Sequence, residues 1–138
     1  MLSSFNPATG ELVGSVSITP VSEVPVIVAA AHAAQSSWDS LGLAGRASRI
    51  EGAGALFIER AEELGALLTA EMGKPLREAI GEVKSCGSGL AAELSSMVDA
   101  LEPEILEDAR TRTELVHVPF GVAAAITPWN FPISMCHW

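Results

Sequence analysis

The strongest constraint on the fold is a long helical pattern in the second half of the chain. From Leu76 to about Leu101, apolar residues recur at helical spacing, at Ala79, Ile80, Val83, Leu90, Leu94, Met97 and Val98. Gly73 suits the end of a preceding helix, Pro75 suits the opening turn of this one, and Pro103 ends it. A helix with such a stripe must bury it against other elements, so the rest of the chain has to pack around it.

Two further helical patterns and a hairpin precede the long helix. The first helix is predicted from Ser22, a good N-cap residue, to about Trp38, and Gly42 and Gly45 should break it before a second helix at 47–72. A turn containing Pro and Gly predicts a short hairpin over Phe5–Ile18. The residues expected to face inward are Val24, Ile27, Val28, Ala31, Ala34 and Trp38 on the first helix and Ile50, Leu56, Phe57, Leu64, Leu67 and Leu68 on the second.

Extended segments follow the long helix. The charged region 102–114 is expected to be exposed, and Thr113–Val118 alternates as a strand would. After a turn at Pro119–Gly121, the segment Val122–Ile126 has the apolar composition of a buried strand. The order is a short hairpin, three helices and then the first strands of a sheet, which predicts an α/β fold whose sheet is incomplete.

The composition narrows the possible classes of function. With 138 residues, of which 49% are hydrophobic, the chain can form one compact domain with an apolar core. A net charge of −9 argues against nucleic acid as a partner. Two cysteines are too few for a disulfide framework. No apolar run is long enough to cross a membrane, so no membrane association and a cytoplasmic location are expected.

The loop after Val122–Ile126 has the clearest chemical potential. Pro128 and Pro132 restrict the backbone on either side of Asn130. Ligands gather at the carboxyl ends of strands in open α/β sheets, and a carboxamide N–H is a neutral donor for an oxygen that gains negative charge during acyl chemistry. From the residues alone, an oxyanion-binding amide and a purely structural turn both remain open.

Four stretches of the chain resemble the aldehyde dehydrogenase superfamily, and they come in the order that the family has. They are the turn at 6–11 (Asn-Pro-Ala-Thr-Gly-Glu), the segment 46–68 with its Glu-Arg-Ala-Glu-Glu-Leu stretch, the segment 68–79 around Glu-Met-Gly-Lys-Pro-Leu, and the strand and loop 119–132 that end in Ile-Thr-Pro-Trp-Asn-Phe-Pro. Together they cover nearly the whole chain. The wording at 71–75 looks most like the succinate-semialdehyde branch.

This resemblance implies a fold, a reaction and a set of site residues. Residues 1–138 would be an incomplete N-terminal part of the Rossmann-like NAD(P)-binding domain, with the start of an oligomerisation arm at about 113–118. Asn130 would be catalytic, as the donor to the oxyanion, and the residues beside the nicotinamide half of NAD or NADP would be Ile126, Thr127, Pro128 and Trp129. The reaction would oxidise a small-molecule aldehyde to a carboxylate through a cysteine thioester, in a homo-oligomeric enzyme.

The nucleophile and the general base of the family have no match in the chain. The resemblance implies that both lie far beyond the Trp-Asn-Phe-Pro loop, whereas Cys86 is expected to be a buried structural residue within a helix and Cys136 follows the loop directly. We therefore expect residues 1–138 to be inactive alone. Two alternatives are a truncated interaction module that pairs with full-length aldehyde dehydrogenase subunits, and a small enzyme that uses Cys86 or Cys136.

No metal site is predicted, and the acidic residues of the long helix have a structural explanation. Cys136 and His137 are adjacent, so their side chains would point opposite ways in an extended segment. Three acidic residues are expected on a solvated helix face beside three basic ones, namely Glu71, Glu78 and Glu82 beside Lys74, Arg77 and Lys84. Because its sheet is incomplete, the isolated chain should be helical, marginally stable and prone to associate.

Overall fold

The computed structural model describes residues 1–137 and contains both helices and strands. In chain order the elements are β1 (Leu2–Phe5), β2 (Leu12–Val16), a 3-10 turn (Val21–Glu23), α1 (Val24–Asp39), α2 (Gly42–Glu51), α3 (Ala53–Glu59), α4 (Ala61–Met72), α5 (Leu76–Leu101), β3 (Glu104–Glu107), β4 (Arg112–Leu115) and α6 (Ser134–His137). No helix within the described residues is long and apolar enough to cross a membrane.

The longest helix, α5, has the bounds that its sequence pattern predicts. Gly73 ends α4 in a left-handed conformation with φ of 77°, which glycine adopts without steric cost. Pro75 then serves as the N-cap of α5. The predicted inward stripe is buried at Ala79, Val83 and Leu90. The Gly-Lys-Pro sequence therefore sets a sharp corner between two helices that pack against each other.

The core lies where α4 and α5 meet. Its buried residues are Ala61 and Leu68 from α4 and Ala79 and Val83 from α5. Partly buried side chains pack around this cluster, namely Phe57, Leu64, Met72, Ile80 and Ile133. Because Ile133 comes from the segment after Asn130, the core also supports the loop with the predicted site residues.

Two glycines let α3 and α5 approach each other closely. A Cβ at Gly54 would lie 2.7 Å from the carbonyl oxygen of Gly87, and a Cβ at Gly87 would lie 2.7 Å from the carbonyl oxygen of Gly54. Such distances leave no room for a larger residue at either position. The two backbones are thus in direct contact at this crossing.

The region predicted as a single helix over 47–72 is divided among three helices. α2, α3 and α4 are separated at Gly52 and at Arg60, whose φ of −96° and ψ of 12° leave the helical range. All three helices pack against α5. The breaks let the chain follow the surface of α5, which one straight helix could not do. Gly45, which was expected to break a helix, lies inside α2.

Helix α1 has nearly its predicted bounds, but two expectations about it are wrong. No side chain caps it, so Ser22 is not its N-cap. Its predicted inward face is open, since Val24, Ile27 and Val28 are each about half exposed. α1 packs mainly on α2, so much of its apolar face has no cover within residues 1–137. Three residues expected to be buried on the following helices are exposed as well, namely Ile50, Leu56 and Leu67.

The strands form two separate antiparallel hairpins in the described part of the chain. β1 and β2 form the predicted first hairpin, with Leu2 opposite Val16. β3 and β4 pair Glu104 with Leu115. The charged region 102–114 is exposed as expected, but it is a hairpin and not an irregular segment.

The predicted strand Val122–Ile126 makes no strand pairing with any residue in 1–137. Val122 is 42% exposed and Ile126 is 96% exposed, so the segment is not buried either. A strand forms only where a neighbour satisfies its peptide groups, and no described strand lies beside this one. The apolar pattern identified an extended segment, but the prediction that it is a buried, paired strand is wrong for these residues.

Candidate functional site

The predicted site residues lie in one continuous loop that ends in a short helical turn. Ile126, Pro128, Trp129 and Asn130 are exposed, and Thr127 is partly buried. The loop closes when the backbone N–H of Met135 donates to the carbonyl oxygen of Phe131 at 3.0 Å and that of His137 donates to Ile133 at 3.1 Å. α6 begins within this turn, directly after the residues predicted to carry the chemistry.

A buried ion pair lies beneath this loop. The side chains of Lys74 and Glu82 are only 9% and 3% exposed, and Lys74 Nζ donates to Glu82 Oε2. Lys74 precedes the first turn of α5, and Glu82 lies farther along the same helix. A buried charge is costly unless it is paired and hydrogen-bonded, so the remaining contacts of these two groups matter.

The remaining contacts of the pair all go to the loop. Lys74 Nζ donates to the backbone carbonyl oxygen of Asn130 at 3.1 Å and lies 3.7 Å from the centroid of the Phe131 ring. Glu82 Oε1 accepts a hydrogen bond from the backbone N–H of Ser134 at 3.1 Å. One ion pair therefore holds both ends of the turn 130–134.

The electrostatics of Glu82 agree with this arrangement. Burial alone raises the pKa of its carboxyl group, but hydrogen bonds from Lys74 and from the Ser134 N–H, with the Lys74 charge, outweigh it. The pKa of Glu82 therefore lies below its ordinary value, and the carboxylate is charged at neutral pH.

The sequence analysis placed Glu82 on a solvated face, and this prediction is wrong. Glu71 and Glu78 are exposed as expected, whereas Glu82 is buried. The signal was present in the sequence: Glu82 follows Ala79 by three positions and precedes Cys86 by four, so it belongs to the buried stripe of α5. A charged residue within an apolar stripe needs a partner, and Lys74 was the nearest candidate at the helix start.

Asn130 combines a fixed backbone with an exposed side chain. Its carbonyl oxygen is held by Lys74, while within residues 1–137 no hydrogen bond ties its carboxamide to another protein group. Two cavities, of about 330 Å³ beside α1 and about 410 Å³ between α3, α5 and α6, are lined by other residues. The carboxamide N–H is therefore available to a ligand at the open surface of the loop.

The two cysteines differ in environment. Cys86 is 4% exposed, burial raises the pKa of its thiol, and its Sγ lies 3.7 Å from Ser134 Oγ. The prediction of a buried structural cysteine is confirmed. Cys136 is exposed, and its Sγ lies 3.7 Å from Thr127 Oγ1.

The segment at Cys136 and His137 shows no metal site. His137 Nε2 lies 2.6 Å from Glu93 Oε2, although the two groups are not aligned as a hydrogen bond. Among the described residues, no group of three His, Cys, Asp or Glu side chains could hold a metal ion.

The arrangement of these helices and hairpins occurs in solved aldehyde dehydrogenases. The enzyme from Brucella melitensis biovar abortus 2308 is 30% identical, with a TM-score of 0.88 over 99% of this chain and 28% of that one. The succinate-semialdehyde dehydrogenase from Burkholderia pseudomallei is 36% identical, with a TM-score of 0.87 over 99% of this chain and 28% of its own. These likenesses confirm the predicted fold class, the N-terminal portion of an aldehyde dehydrogenase-type α/β fold.

The family assignment comes from the sequence as a whole. The sequence profile of the aldehyde dehydrogenase family matches residues 1–138, and the chain belongs to that family. A mitochondrial succinate-semialdehyde dehydrogenase of Arabidopsis thaliana is 39% identical over 133 residues, which cover 94% of this chain and 25% of the plant enzyme. A glutarate-semialdehyde dehydrogenase of Pseudomonas aeruginosa is 38% identical over 133 residues, 94% of this chain and 27% of that enzyme. The chain thus spans about a quarter of the length of these relatives.

Proposed function

We propose that residues 1–138 are the part of an NAD(P)-dependent aldehyde dehydrogenase that contributes the oxyanion-binding amide and one wall of the nicotinamide site. The observation that carries this proposal is the fixed turn at Asn130, whose backbone is tied to Lys74 while its carboxamide stays exposed. A donor held in place before the reaction costs no reorganisation when charge develops on the substrate. Family membership supplies the reaction class.

Asn130 would act on the aldehyde oxygen. When a cysteine thiolate adds to the aldehyde carbon, the carbonyl oxygen gains negative charge, and the Asn130 N–H donates a hydrogen bond to it. That oxyanion re-forms a carbonyl as hydride leaves the carbon, and the product is a thioester that water hydrolyses to the carboxylate. NAD(P), when bound, accepts the hydride. The nucleophilic cysteine is not assigned to either cysteine of this chain.

The loop 126–129 fits the nicotinamide half of such a cofactor. Ile126 and Trp129 expose apolar surface, with 96% and 75% of their area open, and the Thr127 hydroxyl lies beside them. A flat ring can pack on such a surface, and a hydroxyl can hydrogen-bond to its carboxamide. These residues would orient the ring and exclude water from one of its faces.

We propose a dicarboxylic semialdehyde as the substrate class. Several relatives are named as succinate-semialdehyde or glutarate-semialdehyde dehydrogenases. The test compares kcat/KM for succinate semialdehyde and for an uncharged aldehyde of similar length, in the complete product of the gene that encodes these residues. A preference for the uncharged aldehyde would contradict the assignment. The same assay with NAD and with NADP decides the cofactor.

Replacement of Asn130 tests the catalytic role. In the complete gene product, Asn130→Ala should lower kcat about 10²- to 10³-fold with little change in KM, because the donor acts mainly in the transition state. Asn130→Asp keeps the shape but places a negative charge beside the oxyanion, and it should be at least as damaging. Glu78→Gln, an exposed change on α5, serves as the control. Activity of Asn130→Ala within threefold of the parent would refute the role.

We further propose that residues 1–138, when expressed alone, do not oxidise aldehydes. Cys86 is buried with a raised pKa, which makes it a poor nucleophile. Cys136 has no described general base in a catalytic arrangement with it, since His137 faces Glu93. Formation of NADH or NADPH by the purified 138 residues, abolished by Cys136→Ser, would instead support the small-enzyme alternative.

A second candidate function is an interaction module, and the β3–β4 hairpin favours it. Every residue of the two strands is exposed, including Ile105, Leu106 and Leu115, each about half open. Such a hairpin could pair with another subunit, which also accounts for the proposed homo-oligomer. Pull-down of a complete succinate-semialdehyde dehydrogenase by tagged residues 1–138, and its loss on Leu115→Lys, would support this function. A cytoplasmic location remains a prediction, to be tested by cell fractionation.

A further inference from the structure

We infer that Lys74 and Glu82 are positioning residues that fix the turn 130–134 and thereby the place of the Asn130 carboxamide. The inference rests on the proposed role of Asn130, which it deepens. The geometry is direct: Lys74 holds the carbonyl of the very residue whose side chain would meet the oxyanion, and Glu82 holds the N–H of Ser134 at the other end of the turn.

The two anchors restrain the turn in complementary ways. The Lys74 ammonium donates to an acceptor and the Glu82 carboxylate accepts from a donor, so neither can exchange its loop contact for that of the other. Phe131, which lies between the anchored residues, covers the ammonium with its ring. A rotation of the Asn130 peptide plane would break the Lys74 contact, so the direction of the side chain is tied to the ion pair.

Stability alone does not explain a pair of this kind. Replacing both partners of a buried ion pair with apolar residues of similar volume is often neutral or stabilising, because desolvation offsets the attraction. The core next to the pair, built from Leu68, Ala79 and Val83, is already apolar. What the pair supplies that apolar residues could not is a set of directed hydrogen bonds to the loop.

A second ion pair on the same two helices provides a matched control. Lys84 Nζ on α5 lies 3.2 Å from Glu62 Oε1 on α4, and both side chains are more than half exposed. Its described hydrogen bond joins only the two helices and does not reach the loop. The control pair therefore has the same residue types and the same pair of elements without the contacts to 130–134.

The first experiment measures the loop directly. Amide hydrogen exchange of the complete gene product is followed for the parent, for Lys74→Met/Glu82→Leu and for Lys84→Met/Glu62→Leu. In the first variant the Ser134 amide and its neighbours should exchange about tenfold faster or more, while the amides of α4 and α5 keep their protection. The control should match the parent throughout. Unchanged exchange at 131–135 in the first variant would overturn the inference.

A third variant covers the case in which the double apolar change unfolds the chain. Glu82→Gln keeps an oxygen that can accept from Ser134 and from Lys74, so the fold should survive with weakened anchors. Its loop amides should exchange faster than those of the parent, with α4 and α5 unchanged. If Glu82→Gln has parent-like loop exchange, the inference is overturned.

The second experiment separates positioning from general support through kinetics. Asn130→Ala, Lys74→Met/Glu82→Leu and their combination are compared for kcat and KM. If the pair acts through Asn130, each change lowers kcat with little effect on KM, and the combination is little worse than Asn130→Ala alone. Fully additive losses would overturn the positioning role.

The two experiments also tell the inference apart from the proposed function. A loop that loosens in the double apolar variant, together with a normal kcat for Asn130→Ala, would refute the oxyanion role while the anchoring of the turn stands. A large loss of kcat for Asn130→Ala, with neither loosening nor loss of kcat in the double variant, would refute the positioning role alone.

Discussion

At the scale of single residues, the position of Glu82 on α5 determines its behaviour. A shift of one place toward Gly81 would put the carboxylate on the exposed side, because Gly81 is exposed and Val83 is fully buried. At its actual place Glu82 shares the buried stripe with Cys86 and meets Lys74. Burial and pairing together turn an ordinary helix residue into an anchor for a distant loop.

The lowered pKa of Glu82 predicts how the anchor depends on pH. Because the folded pKa is below the ordinary value of 4.5, the stabilisation by the ionised group is complete above pH 5 and is lost as pH falls through the folded pKa. The difference in free energy of unfolding between the parent and Glu82→Gln should be constant from pH 5 to pH 7 and should shrink below pH 4.5.

Urea unfolding at a series of pH values measures this difference. Glu63 and Asp108 also have lowered pKa values, but both proteins share them, so their contributions cancel. Lys74, the charged partner that faces Glu82, stays protonated throughout the acid range. A difference that grows as the pH falls from 5 to 3 would contradict the assignment.

At the scale of elements, local sequence signals specified some boundaries and not others. α5 was predicted correctly because Gly73, Pro75 and Pro103 mark its ends chemically, whatever packs against it. The breaks at Gly52 and Arg60 were missed because they follow from how three segments wrap α5, which no local preference encodes. Val122–Ile126 was assigned to a paired strand although pairing depends on partners distant in sequence.

The candidate site divides along the same line. Asn130 and the residues 126–129 could be proposed from the sequence because prolines and the family motif mark the loop. Lys74 and Glu82 were missed as a pair because helical spacing within α5 cannot show that a loop more than forty residues later supplies the remaining hydrogen-bond partners. A long-range contact of this kind appears only in three dimensions.

The contact between α3 and α5 gives a prediction at the same scale. Gly87→Ala would place a Cβ 2.7 Å from the Gly54 carbonyl oxygen, so the helices must move apart. We expect a loss of about 1–3 kcal/mol in the free energy of unfolding. Gly81→Ala, in the same helix but with no atom within 4 Å of its Cβ, should be neutral or stabilising by up to about 1 kcal/mol. Equal stabilities of the two variants in urea would contradict the close approach.

At the scale of the whole molecule, apolar residues concentrate on one exposed segment. Val118, Phe120, Ile126 and Trp129 are each at least three-quarters exposed. Monomeric proteins rarely leave so continuous an apolar surface open to water. Within residues 1–137 this surface lacks cover, as does the open face of α1.

The exposed segment predicts association of the 138 residues when they are expressed alone. Size-exclusion chromatography should show apparent mass rising with protein concentration, and circular dichroism should show a largely helical chain. Phe120→Ser/Ile126→Ser should shift the profile toward the monomer without changing the helical signal, because both side chains are exposed. A sharp monomeric peak with cooperative melting in the parent would show that the surface does not drive association.

The most direct test of the whole account is a crystal structure of the complete gene product with a thiohemiacetal or thioester adduct on its nucleophilic cysteine. The account predicts the carboxamide nitrogen of Asn130 about 2.7–3.1 Å from the adduct oxygen. It also predicts that Lys74 still donates to the Asn130 carbonyl and Glu82 still accepts from Ser134. An adduct oxygen bound by other donors, with the Asn130 carboxamide turned away, would contradict the account.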